Sequence, residues 1–284
     1  MNLGQMIKLA RIRLRDKTPP YLWDDDDLTE FANSSVSEAV MRTRMLQTQH
    51  IQALPAGVEG ITLPFTVLEP QGALFLDHSG SSFNAGSFTV GRWYLISTPG
   101  TTDFTLIGAT DSIAGTVFRA TGVGVGTGVA TLCNETPLLP MSQGDYFSAR
   151  AYLRATPTRP THYIRGYLAN TLIIYPPPKD AGTLVLVIRR LTTEADEMVM
   201  ELDEPVIPSE FHRDLVYWML AEAYQVHDSD KIDAGAAARY EAQFDARFGK
   251  KVSARAEVQG RRTVIGSDVK PQVFGGSIRQ SYKY

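Results

Sequence analysis

The sequence predicts an α+β fold: a helical bundle built from N- and C-terminal helices, a long antiparallel β middle, and an extended C-terminal tail. The β middle is expected as a β-sandwich or small barrel insertion. Three observations carry this prediction. Apolar residues recur every 3.6 positions near both ends of the chain, they alternate with a period of two between residues 61 and 191, and the last stretch has neither period.

The first helix is expected over residues 3–14, where Leu3, Met6, Ile7, Ala10 and Leu14 share one face. TPPY then breaks the pattern. A longer helix follows, with Leu28, Phe31, Ala32, Ser35, Val36, Ala39, Val40, Thr43 and Leu46 in phase. The run Asp24–Asp27 opens it, because carboxylates suit the positive end of the helix dipole and can cap free amides. Four aspartates also raise a calcium loop, but the loop glycine and the glutamate at the twelfth position are missing.

After LPAGVEG the period changes. Strands are expected at Ile61–Leu68, Ala73–Leu76, Ser87–Ser97, Phe104–Ala109, Thr116–Thr121, Val129–Cys133, Asp145–Arg154, His162–Leu168, Thr171–Tyr175 and Thr183–Leu191. They are short, rich in Val, Ile, Thr, Tyr and Phe, and bounded by Gly, Pro, Asn and Asp, which reads as antiparallel structure with no helix between Ile61 and Leu191. Helices return after EPVIPS, with Ser209 as the expected N-cap and Leu215, Val216, Met219, Leu220, Ala223 and Tyr224 on one face as far as His227. DSDK turns the chain into a last helix carrying Ile232, Ala236, Ala237, Tyr240, Phe244 and Phe248, stopped by Gly249. The expected division is 1–60 and 195–256 for the helical core, 61–70 and 145–194 for its β extension, 71–144 for an inserted β module, and 257–284 for the tail.

Charge is unevenly spread. The chain of 284 residues carries a net −3. From Lys250 onward eight basic residues face two acidic ones, a net of +6, which leaves −9 for the preceding 249 residues. An acidic body with a basic tail suits a tail that meets an anionic surface. The tail has too little periodic apolar content to fold alone. The opening MNLGQMIKLARIRLRD lacks an apolar h-region and reads as no signal peptide. No apolar run approaches the ~20 residues that span a bilayer.

The stretch most suggestive of chemistry is TGVGVGTGVAT, residues 121–131. A phosphate loop needs a Lys-Ser or Lys-Thr after its glycines, and a dinucleotide fingerprint needs a helix after them. Here neither follows, and Val129–Cys133 is strand-like. Alternating glycines beside Val and Thr suit a tight hairpin or bulged strand. His50, His78, His162, His212 and His227 are scattered, and none has zinc-ligand spacing. Cys133 is the one cysteine. Asp196–Glu197 and Glu201–Asp203 read as a solvated turn, and Arg189–Arg190 as partner contacts or surface ion pairs. No nucleophile elbow is present. No catalytic residue, metal or cofactor is assigned, and the expectation is a protein that is not an enzyme.

Two resemblances give the layout meaning. ARIRLRDKTPPYLWDDDDLTEFANSSVSEAV resembles the opening of tailed-phage head-to-tail adaptor proteins, with a short helix, an aromatic turn, an acidic cap and a long helix. YLANTLIIYPPPKDAGTLVLVIRRLT, ELDEPVIPSEFHRDLVYWMLAEAYQV and ARYEAQFDARF resemble the same family's later half. These cover roughly residues 1–54 and 162–256. GSFTVGRWYLISTPGTTDFTLIGATDSIAGTVFRATGVGVGTGVATL is similar to a small β module found in other phage virion proteins.

The adaptor resemblance implies a structural virion protein at the neck, synthesised in the host cytoplasm. It implies a homo-oligomeric, dodecameric ring beneath the portal protein that extends the DNA channel and offers a surface to a tail, nozzle or tail-tube protein. Double-stranded DNA would pass without sequence-specific binding, and no membrane is involved. The basic tail would dock on the portal through Arg255, Arg261, Arg262, Lys270, Phe274, Arg279, Tyr282 and Tyr284. The module would contact tail fibres. The alternative is a decoration or receptor- or glycan-binding virion protein acting through the module, with Trp93, Tyr94 and Phe104 as an aromatic platform if they are exposed.

Overall fold

A computed structural model describes residues 1–152, 156–165, 170–226 and 232–253. The α+β class holds: among the described residues five α-helices accompany a seven-stranded sheet and a four-stranded sheet.

Helix α1 (Leu3–Leu14) starts where Asn2 and Gln5 cap each other reciprocally, and it ends where Arg15 takes the left-handed conformation. Helix α2 (Asp25–Thr43) has its aspartates in the first turn, but Asp24 makes no side-chain cap bond. Instead Asp25 accepts from Arg11 at 2.6 Å, so the acidic run ties α2 to α1. The helix ends at Thr43, short of the expected Leu46. Arg44 turns left-handed there, and the chain enters an unforeseen strand, β1 (Gln47–Leu54). Helix α4 (His212–Ala223) begins three residues after the expected cap, because Ser209–Phe211 forms a single 3-10 turn first. Helix α5 (Ala234–Phe248) is capped by Asp233 and stopped by Gly249, which leaves Ile232 outside it and about half exposed. Met6, Ala10, Leu28, Ala32, Val36, Leu215, Met219 and Phe244 belong to one core shared by the four helices. His227 lies outside the described residues.

The seven strands run in the order β1, β11 (Gly182–Arg190), β3 (Val67–Asp77), β8 (Asn134–Pro140), β9 (His162–Ile164), β10 (Thr171–Tyr175), β2 (Gly60–Thr62). A flat sheet of this width would set its edges ~29 Å apart. Yet β1 and β2 are joined by residues 55–59 alone, which span at most ~21 Å. The sheet therefore curls, and Leu54 and Ile61 from its two edges enter the same core as Phe75, Leu138, Leu172, Ile174, Leu184 and Leu186. Alternate residues face the other way: Val185 and Leu76 meet Trp93 and Val117 of the small sheet.

Three departures from the expected strands have local causes. The chain 145–152 is helical, within α3 (Gln143–Tyr152). The Ser142 hydroxyl accepts from the Asp145 amide at 3.1 Å and donates to its carboxylate at 2.6 Å, an N-terminal cap. Tyr146 and Ala149, three apart, then pack on Ile164, Ile173 and Tyr175. Phe104–Ile107 is a 3-10 turn, set by the Asp103 carboxylate accepting from Thr105 and ended by Gly108. The expected strand Ile61–Leu68 is divided: Ile61 and Thr62 lie in β2, residues 63–66 turn, and Val67 and Leu68 run on through Glu69–Gly72 into the expected Ala73–Leu76 as one strand, β3. It carries a register shift where Pro70, which has no N–H to donate, faces Ile188.

The small sheet has the order β4 (Ser82–Asn84), β7 (Val129–Leu132), β5 (Trp93–Thr98), β6 (Val117–Arg119). Residues 78–133 leave the large sheet at Asp77 and return at Asn134, and these two residues are direct partners across β3 and β8. The departure and return points are thus adjacent. Phe88, Tyr94, Phe104 and Phe118 form a separate core, with ring centroids 5.0 Å apart for Phe88–Tyr94 and 5.4 Å for Phe104–Phe118.

Candidate interaction surfaces

The glycine stretch is a packing device. Gly126 and Gly128 lie against the Pro99–Thr102 turn, where the buried Thr102 hydroxyl accepts from the Gly128 amide at 2.8 Å. A Cβ on Gly128 would sit 2.7 Å from Phe104, Pro99 and Thr102 atoms, and Gly126 holds φ +120°. The Thr127 and Gly128 amides are spent on the hydroxyls of Thr101 and Thr102. The valines between the glycines face outward: Val123 is 52% and Val125 86% exposed, with Leu106 at 80%. Trp93, Tyr94 and Phe104 are buried, so they form no aromatic platform.

The other candidate groups have structural partners. Arg190 and Asp196 form a two-pronged pair, one bond being 2.8 Å, and the arginine with Thr193 holds the Asp196 carboxyl down at about 2. Arg189 faces Glu69 at 3.7 Å. The Asp203 carboxylate accepts from the Val199 and Met200 amides. Burial pushes the Cys133 thiol up to about 12, so it is no nucleophile. His78 is held below its ordinary value by burial, against the opposing charge of Asp77, and its ring meets the Thr183 hydroxyl at 3.0 Å. The buried His212 ring contacts the Ile207 carbonyl at 2.8 Å. Among the described residues no three His, Cys, Asp or Glu side chains converge as a metal site, and no helix is long and apolar enough to cross a membrane.

A cleft of about 510 Å³ separates α2 from the connection that follows β11, between Asn33, Ser37, Thr66, Thr192 and Asp196. Two of its polar groups hold the walls together. Ser37 meets Thr192 at 2.9 Å, and the Asn33 amide both accepts from and donates to the Met198 backbone. It is the joint between helical core and sheet.

Two apolar surfaces escaped the sequence reading. One is the Leu106–Val123–Val125 set on the small sheet. The other is the loop bearing Val199, Met200 and Leu202, each at least 71% exposed. This loop is held firmly: the Leu3 amide donates to Asp203 at 2.8 Å and the Gly4 amide to Glu201 at 3.0 Å. The signal available beforehand was apolar residues falling in a turn with no helical or strand period.

The predicted partner-binding residues Arg255, Arg261, Arg262, Lys270, Phe274, Arg279, Tyr282 and Tyr284 all lie outside the described residues. The described chain does fix where that segment begins. Arg42 donates to the Gly249 carbonyl at 2.8 Å, and Lys251 pairs with Glu38 at 3.2 Å. The basic segment therefore departs from the meeting point of the last turns of α2 and α5.

A family model for the SU10 adaptor protein matches residues 1–266. The chain belongs to the SU10 adaptor protein family. The resemblance carried by the N-terminal and C-terminal motifs is thus met at the level of the family: a structural adaptor protein of a phage. A comparison with curated proteins gives no match.

Proposed function

We propose that this adaptor assembles as a homo-oligomeric, dodecameric ring beneath the portal, extends the DNA channel and presents the attachment surface for the tail. The family match over residues 1–266 carries this reading. A ring needs two different faces of one chain to meet head to tail and close. The basic C-terminal segment docks on the portal through Arg255 and, within residues 257–284, through Arg261, Arg262, Lys270, Phe274, Arg279, Tyr282 and Tyr284. Their charge suits an acidic surface, and pairing of their backbone with a portal strand would add to it. The net −9 of residues 1–249 suits a channel wall that lets DNA pass, since a basic lining would bind phosphates by releasing counterions.

In the same reading, residues 71–144 are an inserted β module, 1–60 and 195–256 the helical core, and 61–70 with 145–194 its β extension, joined there by Gln47–Leu54. The adjacent departure and return at Asp77 and Asn134 support an insertion. The exposed Leu106, Val123 and Val125 support a contact with another virion protein, such as a tail fibre. A glycan-binding role loses its platform with Trp93, Tyr94 and Phe104 buried. The test is truncation of residues 257–284: circular dichroism and melting stay those of the full chain, while co-sedimentation with portal rings is lost. Undiminished co-sedimentation would refute tail docking.

A further inference from the structure

Arg42 is nearly sealed from solvent, with 2% of its side chain exposed, although it lies in the last turn of a surface-facing helix. Its guanidinium lies over two rings that touch each other, 5.0 Å from the Trp218 centroid and 4.9 Å from that of Phe244. Three oxygens from two elements receive its hydrogens. Nε donates to Glu38 Oε1 at 2.9 Å, and Nη1 donates to both Asp245 Oδ1 and the Gly249 carbonyl, the latter at 2.8 Å. Glu38 is shared with Lys251, whose ammonium reaches its second oxygen at 3.2 Å.

This wiring exceeds what joining two helices requires. Phe244 and Phe248 already bury the last turn of α5, with ring centroids 4.5 Å apart and Phe248 lying 5.9 Å from Phe211. The Arg42 fork adds a bond to the backbone one residue beyond the helix, at Gly249, where φ is +85° and the chain changes direction. The Glu38–Lys251 pair adds a second hold two residues further on. The fork is planar, so these bonds fix a heading as well as a position.

We infer that Arg42 is a positioning residue that sets the place and direction in which the basic C-terminal segment leaves the helical core. The inference rests on the reading that this segment docks on a portal. A segment released from one fixed heading loses less freedom on docking than one released from a loose end, so its affinity rises without any added contact. In a ring, every copy then offers its segment at the same radius and angle, which makes simultaneous engagement of many copies geometrically possible.

The test uses the full chain with Cys133→Ser and two spin-label pairs. Gln5 with Val252 reports the departing segment, and Gln5 with Gln243 reports α5 itself. In Arg42→Gln the Gln5–Val252 distance distribution broadens about twofold while the Gln5–Gln243 distribution is unchanged, and portal affinity falls about tenfold. Arg42→Lys, which keeps the charge and loses the fork, broadens the first pair as well; it stands in if Arg42→Gln does not fold. Broadening of both pairs makes Arg42 an ordinary packing residue and overturns the inference. So does broadening of neither, or unchanged portal affinity beside a broadened first pair. Failure of the underlying reading looks different: the chain lacking residues 257–284 then binds portal as well as the full chain.

Discussion

At the residue scale, single side chains close the turns between helices. Arg11 is buried, donating to Asp16 at 2.7 Å, to the Trp23 carbonyl at 2.9 Å and to Asp25 at 2.6 Å, while Asp16 accepts from the Leu22 and Trp23 amides. Arg11→Met leaves the Asp16 carboxylate buried without its cation, and unfolding in urea should show a loss of about 3 kcal/mol. Arg190 and Asp196 give a pH signature. The carboxyl is lowered in the folded chain, so its contribution is complete above the ordinary carboxylate range and fades as pH falls toward about 2. Asp196→Asn should cost about 1 kcal/mol at pH 7, less than the full shift would give because the pair meets solvent, and almost nothing at pH 2. Gly128→Ala forces a methyl into Phe104 and Pro99 and should cost about 2 kcal/mol, whereas Gly115→Ala meets no atom and bears left-handed strain alone, about 1 kcal/mol. Thermal melts of the two variants separate these costs.

At the element scale, what was legible follows from periodicity. Leu3, Met6 and Ala10, or Leu215, Val216 and Met219, announce their helices because one face meets one core. In β10 and β11 the apolar run is continuous because both faces are covered: in β10 Leu172 and Ile174 face the inside of the curl, and Ile173 and Tyr175 face α3. Where local chemistry overrides pattern, the sequence misleads. QGDYFSARAY alternates enough to suggest a strand, but Ser142 caps it as a helix, and Ser142→Ala should cost about 1 kcal/mol of stability with a small loss of helical ellipticity. Pro137 and Pro140 hide β8, whose other residues still pair, and Pro70 splits β3 in the sequence though a bulge carries the strand through. Arg42 and Arg11 were unreadable as organisers because their partners come from turns and distant helices, Asp245 being 203 positions away.

At the scale of the whole molecule, the chain's two ends build the helical core and the middle builds two sheets. The register at Asp77 and Asn134 makes a sharp prediction. Replacing residues 78–133 with Asn-Gly, which favours a two-residue hairpin turn, should leave the large sheet and helical core folded. Leu76 and Val185 lose the cover of Trp93 and Val117 in that variant and should be changed to threonine with it. Retention of the parent far-UV spectrum apart from its small-sheet share, with one cooperative melt, is the expected result; aggregation of the excised chain would make residues 78–133 integral to the core.

Ring formation on the portal is read out by mass photometry of the purified 31.3 kDa chain with and without portal rings. With a ring seated on it, the portal peak moves up by a discrete mass, a whole multiple of the chain approaching twelve copies. A portal peak that keeps its own mass at saturating chain would contradict it.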